Sequence, residues 1–328
     1  MRQIVLEEVG RFTDRQVPRP FPRPGEALVR IHRIGICGTD FHAFAGTHPF
    51  CTCPRVLGHE IACEVLEAPH NDRGIREGDR CAIEPYVSCG KCQACRLLRP
   101  NCCENLQVFG VHTDGAMQAL FTPPVALLHK SAKLSLDQLA LVEPLGIGAN
   151  AVERSGLKKG EDALVIGAGP IGLSVIQFAL AEGAHVRAVE PSEPRRAFAQ
   201  RFGVEVLPEP DRRPADVVFD ATGSAASMAA SLEYVAPVGR LVFVGISKEP
   251  VWIDDSLFHK REMTLYASRN SCHQFPRIIQ MIEQGRIDTS PWITNRLSLA
   301  EVPRLFADLR QGPGTIKAMI EVPDSDSE

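Results

Sequence analysis

The chain lacks net positive charge. Its 36 Lys and Arg are outnumbered by 40 Asp and Glu, a formal charge of -4, so no basic field invites nucleic acid or an anionic membrane surface. The first ten residues, MRQIVLEEVG, contain no secretory hydrophobic region. There is no internal repeat and no low-complexity segment. An unbroken membrane-length apolar run is also missing. Ala163–Ala181 carries no charge over 19 residues, which brushes the length of a span. Gly167, Gly169, Pro170 and Gly172 divide it into a buried strand, a turn and a buried helix. These absences predict a cytoplasmic protein that works on a small molecule, without nucleic-acid or membrane partners. Eleven cysteines and no signal peptide predict a reducing compartment, with thiols serving metal rather than bridges.

Four of those cysteines stand out: Cys89, Cys92, Cys95 and Cys103, in SCGKCQACRLLRPNCCE. Two-residue gaps followed by a seven-residue gap let one loop fold around a tetrahedral ion, and four thiolates most often hold zinc, at about 2.3 Å. Disulfides or scattered core thiols are the alternative, and Cys102 competes in principle with its neighbour Cys103. A four-thiolate site leaves no open coordination position, so such a metal shapes a loop rather than doing chemistry. Cys51, Cys53, Cys63, Cys81 and Cys272 fit no ligand pattern and are expected to be packed or incidental.

A length of 328 residues, with 44% hydrophobic and 23% charged residues, suits a globular protein of about two domains. The first third is rich in Gly, Pro and Cys with short β-type runs at 27–31, 61–66 and 80–83, the texture of a strand-rich domain with functional loops. From about Lys159 strands (163–166, 185–189, 216–220, 240–244) alternate with helices (171–182, 194–202, 224–235). That alternation predicts an α/β architecture of parallel βαβ units in a doubly wound sheet. Further helices are expected at 274–284 and 299–310, a last strand at 316–322, and a frayed acidic tail at 324–328.

Gly167-Ala-Gly169-Pro170-Ile171-Gly172 matches G-x-G-x-x-G after a hydrophobic strand and at the opening of a helix, the context a dinucleotide loop requires. The first glycine permits the tight turn, the second lets backbone approach a pyrophosphate, and the third lets helix and strand pack closely. Glu190 lies 18 residues after Gly172, placed to accept from adenosine ribose hydroxyls and repel a 2′-phosphate. Arg195 and Arg196 lie near enough to raise NADP, but Glu190 favours NAD.

Outside the cysteine loop, Cys37 in GICGTDFH, His59 in GHE and Glu143 in VEPLGIGAN are all competent zinc ligands, and three protein ligands leave a fourth position for water or substrate. Taken singly, such residues are more often packed than ligating. In combination, GICGTD, GHE, the four-cysteine loop, the EP segment and GAGPIG occur in an order and spacing that resembles the zinc-dependent medium-chain dehydrogenase/reductase superfamily over essentially the whole chain.

The resemblance implies a GroES-like, strand-rich catalytic domain at 1–145 and 268–328 around a Rossmann NAD-binding domain at 146–267, with zinc and nicotinamide in a cleft between them. It implies two zincs per chain, one structural and one catalytic, and NAD. A homo-oligomer, dimer or tetramer, is expected. A glutamate at 143 is similar to the polyol branch, which includes sorbitol and threonine dehydrogenases; the resemblance implies either that Glu60, the glutamate after the histidine, binds zinc directly or that Glu143 reaches it through water. The segments VLGHE, VSCGKCQAC, VFGVHTDGAMQ and YASRNS most closely resemble bacterial hexonate dehydrogenases of galactonate and gulonate type. The implied reaction is oxidation of a secondary alcohol of a polyol or sugar acid, zinc acting as Lewis acid and hydride passing to the nicotinamide. Thr39 and His42 would relay the hydroxyl proton to solvent. Arg269 matches a substrate-facing position of sorbitol dehydrogenases and His112 a place in the same cleft; a surface arginine and a loop histidine remain the alternatives. Only 12 residues separate Gly203 from Asp216, so one peripheral strand–helix unit of the nucleotide domain is expected to be trimmed.

Overall fold

A computed structural model of the protein describes residues 1–309 and 314–327. The chain forms two compact units, one of Met1–Glu143, Phe275–Gln284 and Thr289–Glu328, the other of Pro144–Gln274 and Gly285–Asp288.

The first unit is organised about the strand Leu28–Ile36, whose Val29, Ile31, Ile34 and Ile36 are buried. β-Branched side chains of this kind suit a pleated, covered surface. It lies inside a seven-stranded sheet ordered Ile293–Ser298, Lys317–Glu321, Leu28–Ile36, Glu60–Glu67, Arg80–Ile83 and Leu128–Lys130, with Leu120–Phe121 also paired to the central strand. The register sets Gly35 opposite Glu60 on one side and Ile36 opposite Ala318 on the other. Immediately after the strand, Cys37 caps the helix Gly38–Phe44: its N–H donates to Asp40 Oδ2 at 2.8 Å. Phe12, Phe41, Phe44 and Phe306 clasp that helix to Val302–Leu309, with ring centroids 4.9 to 5.3 Å apart. The latter helix was expected to reach Arg310, which lies outside the described residues.

The acidic tail is not frayed as expected. Residues Asp324–Ser327 form a short turn, and Asp326 is buried against Arg2 of the hairpin Arg2–Glu8/Arg11–Gln16, which hydrophobic patterning did not announce. A buried carboxylate is retained where a cation meets it. Glu328 lies outside the described residues.

The second unit carries a six-stranded parallel sheet in the order Glu205–Leu207, His185–Val189, Asp162–Ile166, Ala215–Asp220, Val235–Phe243 and Thr264–Ala267. This is the doubly wound dinucleotide-binding order, whose direction reverses beside the first strand. The uncharged run at 163–181 resolves into the strand Asp162–Ile166 and the helix Pro170–Ala181, both largely buried. Among the described residues no helix is long and apolar enough to cross a membrane.

Between 203 and 216 the expected loss is smaller than a whole strand–helix unit. The edge strand Glu205–Leu207 survives, and the following segment is tied down by Arg187 to Asp211 at 2.6 Å and by Arg213 to Glu205 at 2.8 Å. Nor does the chain leave this unit at 268. Asn150 Nδ2 donates to Ser268 Oγ at 3.1 Å and to the Arg269 carbonyl at 3.3 Å. Gln177 exchanges two 2.8 Å bonds with the backbone of Asp288, retaining 285–288 as well.

Candidate functional site

The four-cysteine loop comes together as its spacing predicted. The sulfurs of Cys89, Cys92, Cys95 and Cys103 all lie within 4.8 Å of one another. Backbone N–H groups converge on them: Cys89 N and Asn105 N donate to Cys103 Sγ at 3.2 and 3.4 Å. N–H groups of Lys91 and Cys92 pull the Cys89 thiol down to about 6, and those of Cys95 and Glu104 lower Cys92. Donors aimed at sulfur favour thiolate at Cys89 and Cys92, whereas burial and the neighbouring thiols push Cys95 up to about 11; it is the convergence of four sulfurs that fits a tetrahedral zinc. Cys102 is exposed and outside the group, which removes it as a competitor. None of the eleven cysteines is in a disulfide; Cys63, Cys81 and Cys272 are buried, Cys51 is half-buried and Cys53 exposed.

A second cluster joins Cys37, His59 and Glu60, whose ligand atoms also lie within 4.8 Å of one another. Cys37 comes from the helix cap, His59 and Glu60 from the start of the adjacent strand. Three glycines make this close approach possible. A β-carbon on Gly35 would fall 2.0 Å from Glu60 Oε2, and Gly110 and Gly115 pack directly on the Gly58 backbone just before His59. Asp40 is fully buried beneath the cluster, its Oδ1 3.7 Å from His59 Nδ1. Burial disfavours a charged imidazole, yet Asp40 and Cys37 outweigh it and raise the proton affinity of His59 well above ordinary.

Glu143, at the start of the helix Val142–Ser155, is buried and accepts a hydrogen bond from the equally buried Tyr86 hydroxyl. Burial, reinforced by the charge of Glu60, pushes its carboxyl up to about 7. Glu60 is held by Lys317, whose Nζ donates to both oxygens at 2.6 and 2.7 Å. One thiol, one imidazole and carboxylates form a donor set suited to zinc, and buried titratable groups of both signs gathered at one point are the mark of a working site.

In the second unit Gly167 has φ 91° and opens the turn. A β-carbon on Gly172 would meet the Gly167 carbonyl at 1.8 Å, whereas nothing stands within 4 Å of one on Gly169. The first two facts close the loop on itself, and the third leaves a cradle at the N-terminus of the helix Pro170–Ala181, as a pyrophosphate requires. Pro170 occupies the first helical turn, where its missing N–H costs nothing. Glu190 is buried beside this loop, accepting from Ala168 N and Ser192 N, each at 2.9 Å. Arg196 folds back on the Glu190 carbonyl at 3.0 Å, and Arg195 is half-buried on the same helix.

Residues 23–133 match the alcohol dehydrogenase GroES-like domain and residues 170–284 the zinc-binding dehydrogenase domain. The L-galactonate-5-dehydrogenase of Escherichia coli K12 is 34% identical over 320 residues, 93% of this chain and 94% of that one. The chain belongs to the zinc-dependent medium-chain dehydrogenase/reductase superfamily. Among solved structures, a zinc-binding dehydrogenase from Sinorhizobium meliloti 1021 bound to NADP is similar with TM-score 0.90 and 29% identity, over 98% of each chain. An alcohol dehydrogenase from E. coli CFT073 complexed with NADH reaches TM-score 0.91 at 25% identity, over 98% of this chain and 99% of that one. The protein is therefore an oxidoreductase of a family that uses zinc and a nicotinamide dinucleotide.

The other residues that the sequence nominated for the site are Thr39, His42, His112 and Arg269. Thr39 is half-buried on the first turn of the helix Gly38–Phe44, and His42 is exposed further along it, with Nδ1 3.0 Å from Thr47 Oγ1. His112 is half-buried, accepts from Val108 N at 3.2 Å and stacks on the exposed Phe50, centroids 5.8 Å apart. Arg269 is exposed in the second unit. Four residues escaped the sequence reading: Asp40, Tyr86, Lys317 and Phe50. Asp40 sits inside the quoted motif GICGTDFH, where an acid beside a ligand is a usable signal, whereas Tyr86 lies outside every quoted motif, just ahead of the four-cysteine loop. Lys317 has no local signal, because its partner is more than 250 positions away in the chain.

Proposed function

We propose that this dehydrogenase oxidises a secondary alcohol of a polyol or sugar acid with NAD, using two zincs per chain, one in the four-cysteine loop and one at Cys37 and His59 with a carboxylate. The observation that carries the reading is the hydrophilic, doubly acidic surround of the Cys37–His59 pair. Glu60 lies in the cluster with that pair and is held by the buried Lys317, and the buried Glu143, bonded to the buried Tyr86, acts on His59 by charge, an environment suited to hydroxylated substrates rather than to plain alkyl chains. The L-galactonate-5-dehydrogenase similarity supports the same substrate class.

Bound zinc would supply a Lewis acid that eases loss of the hydroxyl proton, and the nicotinamide would accept the hydride. Cys37 and His59 would hold the metal, and Asp40, with Oδ1 3.7 Å from His59 Nδ1, would act on His59 by charge from behind, where outer carboxylates stand behind ligating imidazoles. Thr39, on the same turn as Cys37, would hydrogen-bond the reacting hydroxyl and release its own Oγ–H as it takes that proton, and the exposed His42 would exchange the released proton with solvent. The Gly167–Gly172 loop would carry the pyrophosphate. Glu190 has one N–H on each oxygen and keeps lone pairs for ribose hydroxyls, which favours NAD over its 2′-phosphate. His112 and Arg269 are proposed substrate contacts. A cytoplasmic setting and assembly as a dimer or tetramer are part of the same proposal.

Metal analysis tests the zinc assignment. The protein should hold two zincs per chain, Cys95→Ser one and Cys37→Ala the other. A Cys95→Ser protein that keeps two tightly bound zincs would overturn it.

A further inference from the structure

Two carboxylates face the Cys37–His59 pair, and they are held differently. Glu60 is fully buried and both of its oxygens accept from Lys317 Nζ, at 2.6 and 2.7 Å. Lys317 is itself 3% exposed and gives a further bond to the Ile36 carbonyl at 3.2 Å, so its three protons all have acceptors. The ion pair bridges the strands on either side of Leu28–Ile36, crossing above Gly35, where any β-carbon would intrude to 2.0 Å from Glu60 Oε2. Glu143 is held at one oxygen only, by Tyr86, and among the described residues no ion pair reaches it.

We propose that Lys317 is a positioning residue that selects the third zinc ligand: it holds and neutralises Glu60, and thereby leaves Glu143, aligned by Tyr86, to bind beside Cys37 and His59. This rests on the zinc reading given above. Proximity alone favours Glu60, which is in the 4.8 Å cluster with Cys37 and His59. Charge reverses that preference. Zinc, the Cys37 thiolate and the Glu143 carboxylate sum to zero, and so do Lys317 and Glu60. Without the ammonium, two carboxylates and a thiolate would surround one divalent ion in a buried space, where an unpaired charge is costly. Glu60 would then compete for the metal, taking the position that the substrate oxygen needs.

The test uses the full-length protein loaded with cobalt(II), whose visible bands report the ligands. The contribution of the four-cysteine loop is removed by subtracting the spectrum of Cys37→Ala. Glu60→Gln should keep the native bands and lower metal affinity, measured by chelator competition, by no more than the roughly 10–100-fold of an outer-sphere change. Glu143→Gln should alter the bands and cost more than that. Lys317→Met should shift the bands, Lys317→Arg should restore them, and adding Glu60→Gln to Lys317→Met should return them to the native form. The inference is overturned if Glu60→Gln by itself produces the change expected of Glu143→Gln, or if Lys317→Met leaves the bands native. Should Lys317→Met fail to fold, the two glutamine variants still decide between the carboxylates. Loss of all cobalt bands from the unaltered protein, after subtraction, would instead sink the zinc reading itself.

Discussion

At the residue scale, the proposed zinc site has side chains that would touch the metal and others that would aim them. Cys37→Ala and His59→Ala should each abolish turnover while leaving NADH binding, followed by fluorescence titration, close to native, because the dinucleotide loop belongs to the other unit. Retained turnover in either variant would contradict the ligand assignment. Asp40→Asn should lower activity or metal affinity by about 10–100-fold, the usual consequence of disturbing a carboxylate behind a ligating histidine. Glu190→Ala should narrow the preference for NAD over NADP, checked by the ratio of kcat/KM values; it should also loosen the loop, since Ala168 and Ser192 both donate to that carboxylate. A protein that already prefers NADP would show that Glu190 has been misread. Much of this site was legible. Cys37, His59, Glu60 and the four cysteines stand in short motifs whose residue types carry their own chemistry. Lys317 was not, because a buried lysine on a late strand is defined only by the distant carboxylate that neutralises it. The roles of Glu60 and Glu143 stayed open for the same reason.

At the scale of elements, glycines decide how closely chemistry-bearing segments approach. Gly35→Ala would drive a methyl group into Glu60, and overpacking of this kind costs about 1–3 kcal/mol. Denaturant unfolding should register that loss together with weaker zinc retention; a variant as stable as the parent, with its metal intact, would show that Glu60 can move aside. Gly172→Ala would meet the Gly167 carbonyl and should weaken dinucleotide binding while leaving both zincs in place, which NADH titration and metal analysis can separate. The strands of the parallel sheet were readable as short apolar runs between turn residues, as at Asp162–Ile166 and His185–Val189. Where expectation failed, a tertiary partner was the cause. The strand Glu205–Leu207 is three residues long and gains its place by pairing with His185–Val189, and the tail at Asp324–Ser327 is ordered by Arg2 at the opposite end of the sequence.

At the scale of the whole molecule, one unit supplies the sulfur, imidazole and carboxylate donors and the other the glycine loop and Glu190. The fold class was legible because two independent patterns, a metal-loop spacing and a strand–glycine–helix run, occur in separate parts of the chain. The order of the sheet strands was not, since it is set by crossover connections rather than by any local run. The substrate is also a property of the assembled surface, and it carries the central claim: a buried, doubly acidic zinc surround adapted to a hydroxyl-rich alcohol. The most direct test is kcat/KM with NAD across a panel of hexonates, polyols, threonine and simple alcohols, run on zinc-replete protein. An aldonate or polyol with a hydroxyl beside the reacting carbon should outperform ethanol and butanol by at least about 10-fold, a difference of about 1.4 kcal/mol in transition-state binding. Faster oxidation of ethanol or butanol than of every polyol and aldonate in the panel would contradict it.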